Sequence, residues 1–105
     1  MKRYTSTGLV FGNFWGGGKG GFKAEPLRAN TKEELLIQAQ KGIEDGSLDS
    51  GMGYESLIGA VLNITETETI VKDGKDYRHE ESEIEFVGKL NEEEQEMLTE
   101  ALYSY

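Results

Sequence analysis

The sequence predicts an α+β fold, a four-stranded, largely antiparallel sheet with two helices on one face in the order β-β-α-β-β-α. Three observations predict it. Two stretches carry helix-capping residues followed by apolar positions at helical spacing. Before each of them lie stretches rich in β-branched and aromatic residues. A glycine run and an Asp-Gly pair join those extended stretches two by two. A chain of 105 residues fits one domain, 1–105, with a modest core.

Residues 4–15 read as the first strand. Thr5, Thr7, Leu9, Phe11 and Trp15 share one parity, and Tyr4, Val10 and Phe14 the other. Both faces therefore carry aromatic residues, which suits a central strand or an interface. Five glycines follow in the six positions 16–21. Glycine loses the most backbone entropy on ordering, so this stretch is expected to be a long, flexible hairpin loop. Residues 22–29 return as a second strand. Pro26 lacks an N–H and places that strand at a sheet edge or a bulge.

Thr31-Lys32-Glu33-Glu34 has the pattern of a capping box. The helix expected after it runs from Lys32 to Asp45, with Leu35, Leu36, Ala39 and Ile43 on its apolar stripe. Gly46 is the natural residue to end it in the left-handed conformation. A turn-rich connector, 47–53, leads to a long strand over 54–71, bent at Gly59. Asp73-Gly74 marks a hairpin, and 75–88 is its returning strand. Asn91 caps the last helix, and three acids in its first turn suit the helix dipole. Met97, Leu98, Ala101, Leu102 and Tyr105 form its stripe.

The register of the second hairpin follows from parity. Leu62, Ile64, Ile70, Ile84 and Phe86 are even, whereas Thr65, Thr67, Thr69, His79, Glu81, Glu83 and Glu85 are odd. Cross-strand partners share a face. A two-residue loop would place Ile64 opposite Glu83 and Leu62 opposite Glu85. A three-residue loop, 72–74, with a bulge at Gly74 pairs apolar with apolar. The expectation is the three-residue loop, with a threonine row and a glutamate row together on the other face.

Net charge is −9 and unevenly spread, at +4 over residues 1–31 and −13 over 32–105. The acidic part repels nucleic acid and attracts a basic protein surface; an acidic surface also serves solubility alone. There is no cysteine, which excludes a disulfide framework, a thiolate nucleophile and thiolate zinc sites. The start of the chain has no apolar signal core, and the longest apolar run is too short for a bilayer. A cytoplasmic protein with no membrane partner is expected.

Candidate sites are few. The glycine-rich stretch matches neither phosphate-loop pattern, and a strand rather than a helix follows it. Its expected role is to order on a partner through Trp15, Gly17, Lys19 and Phe22; the same Trp15 and Phe22 would otherwise fill the end of the core. Small-anion or nucleotide binding at this loop is the alternative. The connector Glu44-Asp45-Gly46-Ser47-Leu48-Asp49-Ser50-Gly51 has oxygen ligands but fails the calcium-loop template at Ser50 and Ser56. His79, the only histidine, has no local nucleophile to serve. No catalytic residue, metal or cofactor is expected, and the chain reads as not an enzyme. The acidic row Glu66, Glu68, Glu80, Glu81, Glu83 and Glu85 crowds one hairpin. Like charges close together on a sheet cost stability. They are retained either for a positive partner or to guard the sheet edge.

In its small size, strong acidity, lack of catalytic residues and glycine-rich loop, the chain resembles phage-encoded anti-defence proteins, anti-CRISPR inhibitors in particular. The resemblance implies an inhibitor that occupies the basic, nucleic-acid-binding surface of an effector nuclease in the host cytosol, without touching nucleic acid itself. A homo-oligomeric module, with Tyr103 and Tyr105 at a homodimer contact, is a further alternative.

Overall fold

The computed structural model describes residues 2–49, 51 and 53–104. Ser50 and Tyr105, named above for the calcium template and for the last helix and dimer contact, lie outside them. The chain is α+β, with strands β1 (Lys2–Phe14), β2 (Lys19–Lys23), β3 (Leu27–Ala29), β4 (Tyr54–Lys72) and β5 (Lys75–Gly88) and helices α1 (Lys32–Asp45) and α2 (Glu92–Tyr103). The sheet is antiparallel, in the order β2-β1-β4-β5, and β3 also pairs with β1.

Five strands replace the expected four because the second strand is broken. β2 and β3 both lie along β1, on either side of residues 24–26. Pro26 cannot donate to a ladder, so the edge opens where the sequence places it. Ala24 turns inward at the break, 3% exposed, and its amide donates to the Gly8 carbonyl at 2.9 Å.

The helices lie on opposite faces of the sheet, not on one. Leu9-Val10-Phe11 and Ala60-Val61-Leu62 are each buried as consecutive runs. Successive strand residues point to opposite faces, so both faces are apolar and both need a cover. Val10, Ala60, Leu62, Ile64 and Val87 pack with Leu35, Ala39 and Ile43 of α1 and with Leu48. Leu9, Phe11 and Val61 pack with Leu98 of α2, edged by Ile58, Ile84, Leu90, Ala101 and Leu102. Ser6 is buried on the α1 side with its hydroxyl unpaired among the described residues. An unpaired buried hydroxyl carries a desolvation cost, so Ser6→Ala should raise stability by about 1 kcal/mol in urea unfolding.

Both helices start as their caps dictate. The Glu34 amide donates to Thr31 Oγ1 at 3.1 Å, and Gly46 ends α1 at φ +78°. The reciprocal box closes fully at α2, where the Glu94 amide donates to Asn91 Oδ1 at 2.8 Å and the Asn91 amide donates to Glu94 Oε1 at 3.1 Å. The bend at Gly59 takes the form of a register shift: Phe11 faces Gly59, but Gly12 faces Leu57.

The β4–β5 loop has two residues, not three. Lys72 pairs with Lys75, and Asp73 and Gly74 have φ of +54° and +74°. Positive φ at both central positions defines the type I′ turn, whose twist suits a hairpin. The discounted register is therefore the real one, with Leu62 opposite Glu85 and Ile64 opposite Glu83. The helix makes it tolerable. Lys32, the first residue of α1, ion-pairs with both Glu83 and Glu85, the latter at 2.7 Å.

β4 and β5 outrun the rest of the sheet. Lys2 of β1 pairs with Glu68, and beyond that pair residues 69–78 continue as a two-stranded ribbon. The molecule is accordingly elongated, 59 × 25 × 20 Å.

Candidate functional site

The hairpin register sorts the six glutamates. Reading from β1 across β4 to β5 on the α1 side, Lys2, Glu68 and His79 form one row. Tyr4, Glu66 and Glu81 form the next, then Ser6, Ile64 and Glu83, then Gly8, Leu62 and Glu85. Five of the six acids thus share the α1-side face. Glu80, opposite Thr67, is on the other. The threonines Thr65, Thr67 and Thr69 are also on that other face, opposite Ser82, Glu80 and Arg78. The expected threonine and glutamate rows are back to back rather than side by side.

The five acids divide by their neighbours. Glu83 and Glu85 are held by Lys32 and pin the start of α1 to the sheet. Glu66 accepts from Tyr4 Oη at 3.1 Å and ion-pairs with Lys2 at 3.3 Å. Glu81, directly opposite Glu66, lies 3.1 Å from His79 Nε2. Like charges directly opposite one another destabilise a sheet. Here they sit at the root of the ribbon, outside the apolar core, above a depression of about 190 Å³ lined by Tyr4, Ile64, Glu66, Glu81, Ser82 and Glu83. Glu66, Glu68 and Glu81 form the part of the acidic set that helix packing does not consume.

These ion pairs leave a pH signature. The glutamate hydrogen bonds raise Lys32 above its ordinary 10.5, and the Glu66 hydrogen bond does the same for Lys2. Desolvation, and after it Glu66, raises Tyr4 above its ordinary 10.0. A group whose folded pKa is raised binds its proton more tightly in the native state. Its contribution is complete below the ordinary value and is lost as pH rises through the folded value. The melting temperature should therefore hold across neutrality and fall above about pH 10, less steeply in Lys32→Met, as thermal unfolding by circular dichroism would show.

The glycine-rich stretch is shorter as a loop than expected. Gly20 and Gly21 belong to β2, because there a missing side chain is needed. A Cβ on Gly20 would lie 2.4 Å from the Phe14 ring, and one on Gly21 3.0 Å from Leu98. The loop proper is Trp15 to Gly18, closed by the Phe14 amide donating to the Gly18 carbonyl at 2.9 Å. Of the four loop residues singled out, Phe22 is half-buried between Phe14 and Tyr54, with ring centroids 5.1 and 5.8 Å away. Trp15 is 84% exposed, Lys19 is exposed, and the Gly17 amide is spent on the Phe14 carbonyl. The loop does not gather these residues into one cradle.

Sequence reasoning missed the role of Lys32. Its signal was present: a lysine in the first helical turn, where the dipole disfavours a cation, is held there by something else. The connector's acids act locally, with Asp45 accepting from the Ser47 amide at 2.8 Å and Asp49 from the Tyr54 amide at 3.1 Å. Among the described residues no helix is long and apolar enough to cross a membrane.

No family model, curated protein or solved structure matches the chain. The functional reading therefore stands on the chemistry of the site alone.

Proposed function

We propose that this chain is a non-enzymatic binding protein that sets its acidic sheet face on a basic protein surface. In this reading it occupies the nucleic-acid-binding groove of an effector nuclease, as anti-CRISPR proteins do. One observation carries the reading. Glu66, Glu68 and Glu81 share the α1-side face at the root of a projecting ribbon, the first two half-buried and Glu81 exposed, apart from the glutamates that anchor α1. A β-ladder holds them rigidly, with neighbours along a strand about 7 Å apart. A rigid array of carboxylates presents charge to a guanidinium-rich groove at little ordering cost.

The test is binding by interferometry to a panel of purified basic nucleic-acid enzymes, Cas effector complexes among them, at rising salt. Capture that falls steeply with salt and is blocked by the enzyme's own nucleic acid is the expected result. Binding to none of the panel, or binding indifferent to competing nucleic acid, would count against the proposal.

A further inference from the structure

We propose that the free edge of β5 is a self-complementary interface on which a second copy of this chain pairs antiparallel, about a two-fold axis through His79. β5 is the outermost strand on its side of the sheet, and residues 71–83 are all exposed. In a two-residue hairpin the flanking residues point their amide and carbonyl groups at each other. Lys75 and the odd positions after it are therefore turned toward β4, and the even positions Asp76, Arg78, Glu80 and Ser82 turn theirs outward. The outer edge is a template for a further strand.

Charge picks the partner and the register. A two-fold axis normal to the sheet keeps faces matched, so it must pass through a residue. Centred on His79, it places Lys75 opposite Glu83 of the second copy and Arg78 opposite Glu80 of the second copy. Symmetry repeats each pair, which gives four opposite-charge contacts. Asp76 then meets Ser82, and Tyr77 meets Glu81, to which its hydroxyl can donate. At the axis His79 meets its own copy, and apart from that pair no two ionisable groups of one sign face each other over residues 75–83. An axis on Tyr77 keeps only the Asp76–Arg78 pairs, two opposite-charge contacts in place of four, and sets Lys75 against His79, and the other neighbouring registers are worse. An axis on Arg78 sets two arginines face to face and Asp76 against Glu80. An axis on Glu80 or Glu81 opposes two glutamates, and one on Ser82 sets Glu81 against Glu83. Opposite-charge pairs support a ladder and like-charge pairs oppose it. Charges that only guarded the edge would not need Lys75 and Arg78 on one side of His79 and Glu83 and Glu80 on the other at matched distances from it. The axis also keeps both acidic faces on the same side of the joined sheet. The pairing stands on the edge residues, independently of what that face binds.

Sedimentation equilibrium at micromolar concentration tests it. The wild type should run at twice its 11.7 kDa. Arg78→Glu and Glu80→Arg should each weaken the dimer roughly tenfold or more, since each turns opposite pairs into like pairs. Mixed in equal amounts, the two variants should recover it, because every contact between them is again of opposite sign. The cysteine-free chain allows a second readout that does not depend on those variants. His79→Cys brings two thiols to the axis as a non-hydrogen-bonded pair, with Cα atoms about 4.5 Å apart, within disulfide reach. It should form a covalent dimer on mild oxidation. A monomeric wild type overturns the proposal, as does a dimer untouched by either swap or a His79→Cys variant that fails to cross-link.

Discussion

Leu98→Ala should lower stability by about 3 kcal/mol and release α2 from the sheet. Leu98 is 1% exposed and is the buried residue of its helix. It rests on Leu9, Phe11 and Val61, close above Gly21. With the side chain removed, the remaining contacts of α2 are half-buried ones, from Ala101 and Leu102. Leu35→Ala on the opposite face should cost a similar amount, since Leu35 is fully buried under α1. Because the sheet separates the two sites, the double variant should show additive losses, within about 0.5 kcal/mol. Urea unfolding of the three variants measures this, with amide exchange following α2. A marked interaction between the two substitutions would mean that the helices share one core after all.

Gly8→Ala should cost about 3 kcal/mol, more than alanine at any loop glycine. A Cβ at Gly8 would lie 2.1 Å from the Val61 carbonyl oxygen and 3.0 Å from the Leu62 Cα. Both are backbone atoms of β4 in the middle of the sheet, where a shift would break the ladder on both sides of the strand. Gly17 is the comparison. Nothing lies within 4 Å of a Cβ there, and φ is +100°. Gly17→Ala meets only backbone strain, about 1 kcal/mol. Denaturant melts of the two variants should differ by roughly 2 kcal/mol in unfolding free energy. Similar losses at both positions would mean that β1 and β4 do not approach as closely as described.

The elements were legible in the sequence because local rules governed them. Thr31, Gly46 and Asn91 bound their helices through hydrogen bonds and φ preferences that need no tertiary context. Pro26 marked the edge break for the same reason. The arrangement of the layers was written too, in the two consecutive apolar runs 9–11 and 60–62, but a helix count does not say which face each helix covers. The turn was lost for a different reason. Asp73-Gly74 suits a type I′ turn on local grounds. It looked unfavourable only because it sends Glu83 and Glu85 to an apolar face, and the lysine that receives them is some fifty positions away in the chain. The acidic set shares that history: parity shows Glu80 apart from Glu81, but only the true register shows Glu66 facing Glu81. Trp15 remains exposed at the other end of β1.

The measurement that tests the acidic-face reading most directly compares two double reversals of equal net charge. Glu68→Lys with Glu81→Lys alters the α1-side face, and Glu96→Lys with Glu100→Lys alters α2 behind the sheet. Against the enzyme captured in the binding panel, at fixed low salt, the first pair should weaken binding about a hundredfold and the second only slightly. Equal losses from both pairs would show that net charge alone drives the association, and an unchanged affinity in the first pair would show that this face is not the one that binds.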